Sequence, residues 1–141
     1  MPIPLDVTYS RSFSGTRRRI FELLTEMGSA QDKIWPFPTQ PFTRSPGPLE
    51  PGRTEEWHGG INAVLHEIVP EEKIVWSFKN EGIDGTHGFY LSNDGKKIQL
   101  LYRITATLSD TDGRMLWRRI EDAQERTIEA LFDKLARVLK R

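Results

Sequence analysis

KIQLLYRITATLSDTDGRMLWRRIEDAQERTIEALFDKLARVLK, residues 97–140, decides the fold. Its first part places Ile98, Leu100, Tyr102, Ile104, Ala106 and Leu108 at every second position, with Gln99, Leu101, Arg103, Thr105 and Thr107 between them. Successive side chains of a strand point to opposite faces, so one face of this strand is apolar for its whole length. That face needs a cover. From Gly113 to about Lys140 the period changes: Leu116 or Trp117, Ile120, Gln124, Ile128, Leu131, Leu135 and Val138 or Leu139 recur at three- and four-residue steps. Arg118, Arg119, Glu121, Asp122, Glu125, Lys134 and Arg137 fall largely elsewhere. The spacing predicts an amphipathic helix about 40 Å long, enough to cross a whole sheet.

Working outward, Leu5, Val7, Tyr9, Arg11 and Phe13 alternate with Asp6, Thr8, Ser10 and Ser12, which predicts an opening strand. Ile20, Leu23, Leu24 and Met27 then share one helical stripe over Thr16 to Met27, with Gly28 as its stop. Ser29 and Asp32 form a small capping signal, predicting a second short helix from Ala30 to about Ile34. Residues 35–52 hold six of the nine prolines, so an extended loop is expected, with at most a short edge strand near Phe42. Strand-like runs follow at Thr54 to His58, Ile61 to Val69, Lys73 to Lys79, Thr86 to Ser92 and Lys97 to Leu108. The signals between them, Gly59-Gly60, Pro70-Glu71-Glu72, Gly82-Ile83-Asp84-Gly85 and Asn93-Asp94-Gly95, are too short for parallel crossovers, so the sheet should be antiparallel.

At 141 residues the chain suits one domain. Lys plus Arg and Asp plus Glu number 20 each, which gives no support to a nucleic-acid partner. The absence of cysteine rules out disulfides and thiolate chemistry. The beginning of the chain shows no basic region followed by an apolar run, and no window approaches ~18 apolar residues. The expectation is a cytoplasmic protein without integral membrane association, monomeric or homodimeric.

Leu49-Glu50-Pro51-Gly52, His58-Gly59-Gly60-Ile61, Glu67-Ile68-Val69-Pro70, Lys73-Ile74-Val75-Trp76-Ser77-Phe78 and Asp84-Gly85-Thr86-His87-Gly88-Phe89, in this element order, resemble the SRPBCC superfamily. That group includes START-related lipid-binding domains, polyketide cyclase/dehydratase-like proteins and Hsp90-activator-like domains. The resemblance is strongest to its uncharacterised bacterial members, and it names a fold and a cavity more firmly than an activity. It implies an α+β helix-grip fold over residues 1–141. A curved antiparallel sheet of about six to seven strands would wrap around the long C-terminal helix, with two short helices after the first strand. A small hydrophobic ligand, lipid-like or polyketide/aromatic, would lie between sheet and helix. On this reading Trp76, Phe78, His87, Phe89, Leu100, Tyr102 and Ile104 line the cavity from the sheet, and Leu116, Ile120 and Ile128 from the helix.

His87 is the principal chemical candidate. Pairing Leu91 with Ile98 sets Phe89 opposite Leu100 and His87 opposite Tyr102, on the apolar face of the last strand. An imidazole beside a phenol can polarise a ligand carbonyl, or act as acid and base in a cyclisation or dehydration. The same placement also suits a core histidine whose ring nitrogens are satisfied by Tyr102 and the backbone. Ligand binding therefore stands beside two alternatives: a cyclase/dehydratase-type enzyme using His87 and Tyr102, and an Hsp90-activator-like protein-interaction module using the outer sheet face.

His58 and His66, with Glu55, Glu56 and Glu67 nearby, lack a ligand spacing, and pairing Ile68 with Ile74 sets His66 facing Trp76, where it suits packing. No metal and no cofactor is expected. Arg17-Arg18-Arg19 reads as a solvated helix face. Trp35, Phe37 and Phe42 fit either a lid over the pocket mouth or a loop pinned by its aromatics.

Overall fold

The computed structural model describes residues 2–39, 42–58, 61–80 and 82–140, apart from the side chain of His58. The elements are β1 (Ile3–Phe13), α1 (Arg17–Glu26), β2 (Thr43–Arg44), β3 (Glu55–His58), β4 (Ile61–Val69), β5 (Lys73–Asn80), β6 (Ile83–Asp94), β7 (Lys97–Leu108) and α2 (Asp112–Leu139). The strands form one curved, seven-stranded sheet in the order β1-β7-β6-β5-β4-β3-β2, antiparallel at every pairing. The long helix lies in its grip, as the alternation of residues 98–108 requires. Ile98, Leu100, Tyr102, Ile104, Ala106 and Leu108 are all buried.

The 28 residues of α2 give about 42 Å of helix, and its two halves do different things. The C-terminal half seals the core. Phe132 and Leu135 are 0% exposed, and the Phe132 ring meets that of Phe13 edge to face, with centroids 5.8 Å apart. Burial of side chains this size stabilises by roughly 1.5–3 kcal/mol each. Arg11 of β1 clamps the same half from outside, reaching Asp133 at 2.7 Å and Glu129 at 2.6 Å. The stretch from Trp117 to Leu131 roofs the space described below.

Thr16 caps α1 by accepting the Arg19 N–H, and Gly28 follows with φ +85°, the left-handed position expected of a stop. The second short helix predicted at Ala30 to Ile34 does not form. Asp32 explains this: its carboxylate accepts the backbone N–H groups of Gly28, Ile34 and Trp35 at 2.9–3.0 Å. A side chain that takes local backbone donors offers the chain an alternative to helix.

Two registers and one strand boundary differ from those expected. Asp94 pairs with Lys97, leaving only Gly95-Lys96 in the turn, with Gly95 at φ +62°, as a glycine-first two-residue hairpin requires. Leu91 therefore faces Leu100, Phe89 faces Tyr102, and His87 faces Ile104. The shift is by two residues, which preserves the inward face. In the β4–β5 ladder Ile68 does pair with Ile74, but the register slips between Leu65 and Glu67. His66 is the extra residue of that bulge, so Leu65 rather than His66 faces Trp76, and His66 is exposed. Ile83, Asp84 and Gly85, expected in a turn, open β6, and Gly82 (φ +90°) precedes them. The Gly59-Gly60 turn lies outside the described residues.

Candidate functional site

Between the concave face of the sheet and residues 117–131 of α2 lies a cavity of about 210 Å³. Every second residue of the inner strands points into it: Trp76 and Phe78 from β5, Ile83, His87 and Phe89 from β6, Tyr102 and Ile104 from β7. Trp117, Ile120, Gln124, Ile128 and Leu131 of α2 form the roof. Met27, Trp35 and Phe42 close one side, so the proline-rich loop contributes a wall. That loop is tied down: Lys134 donates to the Trp35 carbonyl at 2.9 Å, and the Arg44 guanidinium donates to the carbonyls of Thr25, Ser45 and Gly47.

Eight of the ten residues expected to line the cavity do so: Trp76, Phe78, His87, Phe89, Tyr102, Ile104, Ile120 and Ile128. Leu100 and Leu116 do not. Leu100 is 0% exposed and faces Leu91 and Arg11 across its two ladders, toward the end of the sheet that α2 seals. Leu116 packs against the edge of the core, half-buried, while its neighbour Trp117 takes the inward position.

In this apolar lining sits a continuous polar chain. Tyr102 Oη lies 3.0 Å from His87 Nδ1, although the two are diagonal across the ladder. His87 Nε2 lies 2.6 Å from Oε1 of Glu56, and Gln124 Nε2 donates to Tyr102 Oη at 3.3 Å. Four elements, β3, β6, β7 and α2, each contribute one member. The rings of Phe78 and Phe89 pack on His87 and Tyr102 at centroid distances of 5.7 and 4.9 Å, and Tyr9 stacks on Tyr102 from β1 at 6.5 Å.

Burial, reinforced by the negative charge of Glu56, pushes the Tyr102 phenol far above its ordinary range, so it keeps its proton at any ordinary pH. With a neutral imidazole the chain has one consistent hydrogen pattern: Gln124 donates to Tyr102, Tyr102 to Nδ1, and Nε2–H to Glu56. Protonation of His87 would place a hydrogen on Nδ1 and turn the Tyr102 O–H away from it, toward the cavity. The arrangement can thus present either an acceptor or a donor to a polar atom held among the rings.

Glu56 is the member that sequence reasoning missed as a site residue. In Thr54-Glu55-Glu56-Trp57 the alternation invites Trp57 inward, yet Glu56 is 3% exposed and Trp57 43%. The pairing of Glu56 with Ala63, itself buried, fixes this choice. Among the described residues no cluster of three His, Cys, Asp or Glu side chains is arranged for a metal, and no helix is long and apolar enough to cross a membrane.

No family model and no curated protein sequence matches the chain. Solved structures do resemble it in fold. Protein Ms6760 from Mycobacterium smegmatis superposes with a TM-score of 0.67 at 13% identity, covering 96% of this chain and 91% of that one. CalU16 from Micromonospora echinospora does so at 0.65 and 14%, covering 93% and 76%. The Aha1 dimer from Colwellia psychrerythraea does so at 0.63 and 12%, covering 96% of each. Identities this low speak for the fold alone, which is that of a sheet gripping its C-terminal helix.

Proposed function

We propose that this chain is a single SRPBCC-like domain that binds a small, largely apolar ligand between the sheet and residues 117–131 of α2. The observation that carries the proposal is the cavity of about 210 Å³, walled by aromatic and aliphatic side chains and crossed by one polar chain that runs from the buried Glu56 to the half-buried Gln124. Ligand pockets have this character, apolar over most of their surface with a few polar groups that fix orientation. A dry cavity of ~150 Å³ admits benzene, so a one- or two-ring skeleton is the natural size. The ligand's carbon frame lies against Trp76, Phe78, Phe89 and Ile104, and its polar atom lies against the His87–Tyr102–Glu56 group. Native mass spectrometry of the purified protein tests this: a co-purifying mass names the ligand class. A clean apo mass, together with no apolar-dye binding and no quenching of the cavity tryptophans 35, 76 and 117, would refute it.

The His87–Tyr102 hydrogen bond supports a second reading, proton transfer to or from a bound carbonyl compound of the polyketide type. Tyr102, held protonated by its burial, serves as a hydrogen-bonding group for the carbonyl, and His87, steadied by Glu56, exchanges the proton. An activity that survived both His87→Gln and Tyr102→Phe undiminished would eliminate this reading while leaving ligand binding intact.

A further inference from the structure

One atom of the polar chain is left over. Glu56 presents Oε1 to His87 Nε2 at 2.6 Å, while its Oε2 is buried without a hydrogen-bond partner. Among the described residues one other buried side-chain atom shares that condition, Nε of Arg44. Arg44 does not line the main cavity and has its terminal nitrogens on backbone carbonyls. Glu56 does line it.

At 2.6 Å the imidazole engages Oε1 of Glu56, which leaves Oε2 as an acceptor. The Tyr102 proton, meanwhile, is engaged on Nδ1 whenever the imidazole is neutral. Glu56, a residue of the cavity wall, thus holds an acceptor that is buried and unmatched, a costly condition unless something donates to it.

We infer that the cavity selects ligands carrying a hydrogen-bond donor, a hydroxyl or an ammonium group on an apolar ring system, which Oε2 of Glu56 accepts. The inference rests on the ligand-binding reading of the cavity and adds the chemistry of the ligand's polar end. A site whose buried acceptor needs a donor discriminates strongly against analogues that lack one, because they leave the acceptor desolvated and alone.

Four probes of similar shape test it on the full chain: naphthalene, 2-methoxynaphthalene, 2-naphthol and 2-naphthylmethylammonium, titrated by tryptophan fluorescence and calorimetry. The two donors should bind at least about tenfold tighter than the other two. In Glu56→Gln that preference should vanish, and 2-methoxynaphthalene should gain on 2-naphthol, since a carboxamide that keeps its oxygen on His87 turns an N–H into the cavity. Either order between 2-naphthol and the ammonium supports the inference and tells whether the site reads a neutral or a charged donor. Equal binding of all four probes would overturn it and leave the cavity reading standing, the unmatched oxygen then being served by water. Failure of every probe to bind would overturn both. If Glu56→Gln does not fold, as judged by circular dichroism, the wild-type ranking decides alone.

Discussion

Tyr102 Oη and His87 Nδ1 are 3.0 Å apart, yet Phe89 is the residue directly opposite Tyr102, and His87 lies opposite Ile104. The bond runs diagonally across the β6–β7 ladder, a reach open to aromatic side chains. It is made inside the cavity, with Gln124 and Glu56 extending it at either end.

Removing the hydroxyl tests how far the four groups act as a unit. Tyr102→Phe keeps the ring against Tyr9 and Phe89 but leaves Nδ1 of His87 and Nε2 of Gln124 without their partner. The expected loss is about 1–3 kcal/mol in urea unfolding. The double variant Tyr102→Phe/Gln124→Leu should lose less than the sum of its single changes, because members of one hydrogen-bond network are coupled. Strict additivity would show that Gln124 is not part of it.

The same phenol sets a pH dependence. Its ionisation is raised in the folded chain, by burial first and by Glu56 second, whereas in the unfolded chain it ionises near the ordinary ~10. The folded state therefore holds the proton where the unfolded state releases it. The stability linked to Tyr102 is fully present below about pH 10 and falls as pH rises beyond it, by at most ~1.4 kcal/mol per unit. Urea unfolding of the wild type between pH 8 and 11 should accordingly steepen above pH 10 relative to Tyr102→Phe. Tyr9, raised by partial burial and the nearby Glu125, Glu121 and Glu129, remains in both proteins and cancels from the comparison. Parallel curves would contradict the assignment.

Gly113 offers a test with a reversed sign. In a helix Gly→Ala ordinarily gains up to about 1 kcal/mol. Here a Cβ would run into the carbonyl oxygen of Gly82 and the backbone of Leu108, and backbone cannot swing aside as a flexible side chain can. Gly113→Ala should destabilise by roughly 1–3 kcal/mol, read as a lower urea midpoint. An unchanged or raised midpoint would mean that the start of α2 can lift away from the sheet.

Arg11 binds Asp133 and Glu129 and places its guanidinium 5.4 Å from the centroid of Phe132. All three charged groups are partly exposed, so Arg11→Met should cost only about 1 kcal/mol. The loss should shrink in high salt. Phe132→Ala beside it should cost roughly 3–5 kcal/mol, a contrast that separates the clamp from the core beneath it.

The sequence by itself determined the sheet, the long helix and most of the inward-facing residues. Alternation over 98–108 and the three- and four-residue spacing over 116–139 are local signals, and each is read directly from which face must leave water. Period fixes the face and not the partner, so His87 reads as inward-facing even with its register two residues off, and the diagonal reach of its ring still brings it to Tyr102. Tertiary structure decided what depends on more than one element. Asp32 captured backbone donors and replaced a helix with a turn. A bulge turned His66 out, and pairing with β4 turned Glu56 in against the pull of its neighbour Trp57. A carboxylate becomes a site residue only when another strand brings an imidazole to it and other elements bury it, and no pattern along one strand encodes that meeting.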